Sequence, residues 1–273
     1  MTSNKPIALV TGASSGIGEA TAERLVQAGY KVYGTSRRGS QAGHRRFELL
    51  ALDVTSDESV DAAVSELLRR EGRIDLLVNN AGFGLSPAGA EESSIEQAKA
   101  IFDTNFLGVV RMTRAVVPHM RQQGGGRIIN IGSILGVVPM PYAALYAASK
   151  HAVEGYSEAL DHELRTRGIR VSVIEPAYTK TQFESNNVPP DAVLDEYASV
   201  RRALEKVVKL AMASADEPVV VAEVVLKAAR AKRPKLRYTA GLTATRLSLL
   251  RRFAPAGVLD SGIRKSLQLD VPA

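Results

Sequence analysis

Tyr146 and Lys150 stand four residues apart in a stretch, Leu145 to Arg167, whose apolar spacing predicts a helix, so both side chains fall on one face with their heads close together. A phenol normally titrates near ~10 and is a poor base at neutral pH, but a neighbouring ammonium favours the phenolate and is expected to draw it toward the working range. That is the tuning a general acid/base needs. Tyr142 is the nearest competitor, yet four residues beyond it stands Tyr146 rather than a lysine. Ser133 closes an apolar run and has no rival hydroxyl beside it, because Gly132 precedes it and Ile134 follows.

A second group of residues has the chemistry of anion binding. Thr11-Gly12-Ala13-Ser14-Ser15-Gly16-Ile17-Gly18 falls between an apolar run, Ile7 to Val10, and a helical pattern, Ile17 to Ala28, stopped by Gly29. There the backbone amides and the positive end of the helix dipole face a pyrophosphate. Gly12 permits the tight turn, Gly16 admits a ligand to the backbone, and Gly18 lets the helix pack close to the strand.

The elements that must position these residues alternate along the chain. Further strands are predicted at Lys31 to Gly34, Phe47 to Leu52, Ile74 to Val78, Arg127 to Ile131 and Arg170 to Ile174, with a last one at Leu236 to Thr239. Between them lie helical patterns over Ser56 to Glu71, Ser94 to Arg121 with a break near Pro118, Leu145 to Arg167, and Ala222 to Ala231. Short apolar strands separated by amphipathic helices require crossover connections, hence a parallel sheet with helices on both faces. The expected fold class is α/β, a single-domain, doubly wound Rossmann sheet over residues 1–273. Residues 179–215, with Pro189-Pro190, read as a helical insertion placed to act as a substrate lid. Residues 240–273 form a basic tail.

The motifs together resemble the classical short-chain dehydrogenase/reductase family, in its order and spacing over roughly the first 180 residues. Beyond the TGxxxGxG turn they are Asn79-Asn80-Ala81-Gly82 after the fourth strand, Asn105 in the next helix, Ser133 at the end of the fifth strand, and Tyr146-Ala147-Ala148-Ser149-Lys150. The resemblance implies an alcohol/carbonyl oxidoreductase, with Tyr146 passing the proton to or from the substrate oxygen while hydride moves to or from a nicotinamide. It implies that Lys150 holds the ribose hydroxyls, Ser133 hydrogen-bonds the reacting oxygen, and Asn105 anchors a water relaying protons to Lys150. On the cofactor it implies contacts from Gly12, Ser14, Ser15, Gly16, Ile17 and Gly18 to the pyrophosphate, from Asp53 and Val54 to the adenine, and from Asn79, Ala81 and Gly82 near the ribose. Pro176 and Thr179 are expected at the carboxamide. One departure is the Pro176-Ala177-Tyr178-Thr179 segment, where the family usually has Pro-Gly; the Ala177 methyl is expected to narrow the nicotinamide side. The cast is similar to hydroxysteroid, retinol and acyl-glycerone-phosphate reductase members.

The choice of cofactor follows from the end of the second strand. Sites preferring NAD place an acid about 20 residues past the glycines, whereas NADP sites place arginine there. This chain has Thr35-Ser36-Arg37-Arg38, so a 2′-phosphate would meet two guanidiniums and NADP(H) is expected. Phe83, Leu85, Leu135, Val137, Val138, Met140 and Phe183 offer the substrate mostly apolar walls, which suits a hydrophobic alcohol or ketone.

Composition narrows the alternatives. The 273 residues are 45% hydrophobic and contain no cysteine, which excludes disulfides and thiolate chemistry, and the four histidines lack metal-ligand spacing, so no metal is expected. Net charge is +6, and ten of the Lys/Arg fall between Arg230 and Ala273 against only Asp260 and Asp270. Neither a nucleic-acid-binding module nor interleaved aromatics accompany that charge, so no nucleic-acid partner is expected. The tail, in which Arg246, Arg251, Arg252, Arg264 and Lys265 alternate with leucines and Phe253, has two readings: a helix packed on the domain with a solvated basic face, or peripheral contact with an anionic membrane. No apolar run approaches bilayer length and no signal-peptide pattern opens the chain, so a cytoplasmic, soluble protein is expected. A homo-oligomer built through the helices near Ser94 and Leu145 is implied by the family. A catalytically silent NADP(H)-binding regulator is the functional alternative, and it would have lost part of the Ser-Tyr-Lys set.

Overall fold

The computed structural model describes residues 5–39 and 45–269. Seven parallel strands, β1 (Ile7–Val10), β2 (Lys31–Ser36), β3 (Glu48–Ala51), β4 (Leu76–Asn79), β5 (Gly126–Ile131), β6 (Ile169–Pro176) and β7 (Arg237–Ala240), form one sheet in the order β3-β2-β1-β4-β5-β6-β7. The central strands β1 and β4, reading IALV and LLVN, are buried at every position, as strands covered on both faces must be. Helices α1 (Gly16–Gln27), α2 (Asp57–Glu71), α3 (Ile95–Phe102), α4 (Gly108–Gln122), α5 (Ala144–Leu164), α6 (Ala198–Ala213) and α7 (Pro218–Arg230) connect them, followed by α8 (Leu242–Phe253) and α9 (Ala256–Ser266).

Alternation along the strands sends residues to two cores. Leu9, Tyr33, Leu77 and Ile128 pack against Val64 of α2, Met112 and Val116 of α4 and Leu160 of α5. Ala8, Val10, Val78 and Ile129 pack on the other face against Leu25 of α1 and Val221 and Val225 of α7. The fold is therefore the doubly wound α/β class that the element order requires. After β3 the chain returns to the far side of β1 to form β4, and this reversal opens a crevice at the carboxyl ends of β1 and β4.

Local chemistry sets most boundaries. Ser56 caps α2 by accepting a hydrogen bond from the Ser59 amide, and Gly72, at φ 73°, ends it in the left-handed conformation. The Ser94 to Arg121 pattern is broken, but not at Pro118, which lies inside α4. The irregularity is a π-helical turn over Asp103–Leu107. Its physical cause is Asn105, whose amide bonds the Phe83 backbone in both directions, at 3.0 Å and 2.9 Å, and holds the turn against the loop after β4. Residues 179–215 are α-helical only in their second half, the first half holding no more than short 3-10 turns at Glu184–Asn186 and Asp195–Tyr197. Pro189-Pro190 falls in an extended first half, where Val188 bridges to Leu85, and α6 follows.

The contact between the glycine turn and β4 leaves no room for a side chain. A Cβ at Gly18 would lie 2.2 Å from the Gly12 carbonyl oxygen and 2.5 Å from Asn80 Nδ2. Gly18→Ala is expected to destabilise the protein by about 2 kcal/mol and to lower Tm by roughly 4–8 °C. Gly257→Ala, at a position with nothing within 4 Å, is expected not to lower it; thermal unfolding of the two variants makes the comparison.

Candidate active site

One cavity of about 1110 Å³ runs across the carboxyl ends of the strands. At one end it is walled by Gly12, Ser14, Ser15, Gly16 and Ile17, with Arg37, Asp53 and Val54 beyond them. Gly12 and Gly16 have φ of 62° and 59°, a conformation that favours glycine, so the turn that exposes the amides depends on them. Ser15 caps α1 without a side-chain hydrogen bond, leaving the first-turn amides to whatever enters the cavity. Two side chains, Asn80 and Thr11, tie this turn to the loop after β4. Asn80 Nδ2 donates to the Thr11 and Gly12 carbonyls, both at 3.0 Å, and Thr11 Oγ1 accepts from the Asn80 and Ala81 amides at 2.9 Å and 3.0 Å. Thr11 was not singled out by the sequence; its position ahead of Gly12 was the available signal.

Past Ala81 and Gly82, the cavity reaches Ser133, Tyr146 and Lys150. Ser133 leaves β5 and its Oγ accepts from the Leu135 amide at 3.1 Å, which fixes its rotamer toward the cavity. The Tyr146 phenol, on the first turn of α5, lines the cavity with Ser133, whose hydroxyl favours the phenolate. One turn on, Lys150 Nζ donates to the Ile131 carbonyl at 2.9 Å and lies 5.7 Å from the centroid of the Tyr146 ring. Lys150 is buried, and Tyr146 is exposed only to the cavity.

These positions reverse the expected electrostatics. Burial pushes the Tyr146 phenol up to about 12, against the lowering effect of Ser133 and with a further rise from Glu184. Burial likewise pulls Lys150 down to about 8, with Glu154 opposing. The sequence anticipates a phenol lowered by the ammonium, but Nζ is turned to a carbonyl and desolvation of each group exceeds their mutual effect. Tyr146 is thus a proton donor across the neutral range.

Four of the residues expected at the site do not line the cavity. Asn105 is 2% exposed and serves as a tie: besides the Phe83 backbone it reaches Ser149 Oγ at 3.3 Å, and Ser149 Oγ donates to the Tyr146 carbonyl at 2.7 Å. Thr104 faces the cavity in its place. Asn79 turns into the core, donating to Asn130 Oδ1 at 2.9 Å, because the residue at the end of β4 alternates away from the face that Asn80 presents. Gly18 is a packing position, as above. Arg38 is exposed and off the cavity, whereas Arg37 lines it. Asp53 accepts from the Thr55 amide and hydroxyl at 2.9 Å and 2.8 Å, and these bonds, with Arg37 nearby, hold its carboxyl below the usual range.

The far end is apolar. Phe83, Leu135, Val138, Met140 and Phe183 line it; Leu85 and Val137 do not. Pro176, Ala177 and Thr179 form one wall, with Thr179 Oγ1 bonded to the Ala177 carbonyl at 3.1 Å. Tyr142, at φ 64°, packs edge-on to Tyr197 instead of entering the cavity. The tail closes this end: Leu247 of α8, Ile263 of α9 and Leu267 line the cavity, and Ala244 packs with Ile134 and Val138. The tail's outward face keeps Leu242, Leu249, Leu250, Phe253 and Val258 exposed.

Behind Lys150, Glu154 and Glu175 are buried around Arg237, whose Nε lies 2.8 Å from Glu154 and 3.6 Å from Glu175. Burial, reinforced by Glu154 and opposed by Arg237, pushes Glu175 up to about 7. A raised carboxyl favours folding while protonated, so its contribution is full below the ordinary value near ~4.5 and is lost as pH rises through 7. Glu175→Gln is therefore expected to stabilise the protein at pH 8, on the order of 2 kcal/mol, with the gain shrinking below pH 5; unfolding midpoints at the two pH values check this.

The family model described as short chain dehydrogenase matches residues 6–191. A 3-ketodihydrosphingosine reductase of Bacteroides thetaiotaomicron is 46% identical over 66% of this chain and 66% of that protein. Estradiol 17-beta-dehydrogenase 1 of Rattus norvegicus is 35% identical over 92% of this chain and 78% of that protein. The crystal structure of a short-chain dehydrogenase from Streptomyces avermitilis superposes with a TM-score of 0.79 at 32% identity, covering 97% of this chain and 96% of that one. This chain belongs to the short-chain dehydrogenase/reductase family, a family of oxidoreductases acting on CH-OH donors with a nicotinamide dinucleotide. Among the described residues, no helix is long and apolar enough to cross a membrane.

Proposed function

We propose that this protein is an NADP(H)-dependent oxidoreductase that interconverts a hydrophobic secondary alcohol and its ketone. The observation that carries the reading is the placement of the Ser133–Tyr146–Lys150 group where the glycine-turn end of the cavity meets its apolar end. The glycine-turn end fits a dinucleotide: left-handed glycines expose amides at the start of α1, and Arg37 stands where a 2′-phosphate would end. When bound, the nicotinamide supplies or accepts the hydride.

The chain's own residues handle orientation and the proton. Ser133 and Tyr146 together hold the reacting oxygen, and in reduction the phenol gives its proton to that oxygen as charge develops there. Lys150 places a positive charge beneath the ring and stabilises the phenolate left behind. Amides of the turn from Gly12 to Ile17 would hold the pyrophosphate, Asp53 and Val54 the adenine, Ala81 and Gly82 the ribose, and Pro176 and Thr179 the carboxamide, all of them lining the cavity. Residues 179–215 act as the lid, and residues 240–269 complete the cover over the substrate.

Two relatives whose names specify ketones or alcohols on large apolar skeletons support a hydrophobic substrate. The protein acts as a cytoplasmic homo-oligomer, for which exposed Ile95 on α3 offers contact surface, and light scattering giving a monomer would overturn that part. The tail's outward face, with its arginines, is the place for any peripheral membrane contact.

The test is NADPH consumption by the purified protein across ketones graded from small and polar to long-chain and steroid-sized. The expected result is turnover that rises with apolar bulk. Turnover confined to small polar ketones would overturn the substrate class, and bound NADPH with no turnover on any of them would favour the regulator.

A further inference from the structure

Among the described residues, the apolar end of the cavity contains one carboxylate, and no ion pair engages it. Glu184, in the short 3-10 turn Glu184–Asn186, lines the cavity next to Phe183, whose ring meets the Tyr146 ring edge-on at 5.8 Å. Its hydrogen-bond partner is neutral: Asn187 Nδ2 donates to Oε2 at 3.0 Å. Lys150 and Arg37 are the cationic side chains of this cavity; the first is turned to the Ile131 carbonyl and the second lies at the opposite end. Glu184 also borders a second cavity with Arg201 and Lys209; Arg201 is engaged by the buried Glu92, and neither forms an ion pair with Glu184.

An unpaired, half-buried carboxylate is a cost to the protein, and here it has a second one. Burial raises the Glu184 carboxyl, and its charge raises the Tyr146 and Tyr178 phenols, leaving less Tyr146 phenolate at neutral pH to accept a proton in alcohol oxidation. A cation brought by the substrate would remove both costs at once. Glu184 follows Phe183, whose ring packs on Tyr146 at 5.8 Å, and lines the same cavity, so such a cation would sit near the reacting carbon. The remainder of the substrate would lie along Val138, Leu247, Ile263 and Leu267.

Resting on the reductase reading above, we propose that Glu184 is a specificity residue that selects substrates with a protonated amine close to the carbonyl or carbinol carbon and a hydrocarbon chain beyond it. The class is a long-chain amino ketone and the corresponding amino alcohol. A charge-assisted hydrogen bond to Glu184 favours the amine over a neutral counterpart by about 10- to 100-fold.

The experiment compares a long-chain α-amino ketone with the same ketone acetylated on nitrogen. Two ratios are read: kcat/KM for the pair, and dissociation constants for the matching amino alcohol and its N-acetyl form, titrated against the fluorescence of protein-bound NADPH. Wild type is expected to prefer the amine by at least tenfold in both, Glu184→Gln to bring both near parity, and Glu184→Asp to retain part of the preference. No preference in wild type, or one that survives Glu184→Gln, overturns the proposal. If neither ketone is reduced, the reductase reading fails by itself, and the binding ratio still decides the role of Glu184.

Discussion

Tyr146→Phe is expected to lower kcat for ketone reduction by about a thousandfold, the central range for a positioned general acid, while NADPH affinity changes no more than severalfold. The phenol is the acidic side-chain hydroxyl that lines the cavity with Ser133, and phenylalanine preserves the ring that packs on Phe183. Loss of rate without loss of binding separates a proton-transfer role from a packing role. Because burial holds the phenol up to about 12, its acid form is present throughout the neutral range, so wild-type reduction should be flat between pH 6 and 7. Lys150, held down to about 8, loses its charge above that pH, and the reductive rate should decline there. Steady-state rates across pH, with Tyr146→Phe alongside, check both statements.

Arg37→Ala should raise KM for NADPH by about 10- to 100-fold and leave the KM for NADH within twofold, since a guanidinium bonded to a 2′-phosphate is worth roughly 1.5–3 kcal/mol. Arg37 lines the cavity just past β2, on the same side as Asp53, whereas Arg38 points to solvent. Arg38→Ala is accordingly expected to change NADPH KM only severalfold. Equal effects of Arg37→Ala on both cofactors would show that the residue does not read the phosphate.

The fold was legible because its signals are local and repeated. Continuous apolar runs such as Ile7 to Val10, stopped by glycine turns and separated by amphipathic helices, leave a parallel sheet as the economical arrangement. The glycine turn and the Tyr146/Lys150 pair were legible for a similar reason, since short spacings on a strand-turn-helix or a helix face translate directly into proximity. Side-chain direction at element ends was not. Asn79 and Asn80 are adjacent, and only the pleat of β4 decides which faces the core; Arg37 and Arg38 pose the same question after β2. The Asn105 turn escaped because Pro118 looks like the obvious breaker, whereas the irregularity arises from a tertiary bond to Phe83. Desolvation of Tyr146 and Lys150 depends on the whole cavity, so a helix spacing alone gave the wrong sign. The tail's place over the substrate end comes from long-range contacts of Ala244, Leu247 and Ile263 that no local pattern encodes.

The central claim is hydride exchange between a nicotinamide and a carbonyl carbon at Tyr146. The most direct measurement is mass spectrometry of the product formed when the wild-type protein is incubated with a long-chain ketone and NADPH deuterated at the transferred C4 position. The expected product is an alcohol carrying one deuterium on the carbinol carbon, and almost none with Tyr146→Phe over the same time. Bound NADPH with no deuterated alcohol from any ketone, or equal label from both proteins, would contradict it.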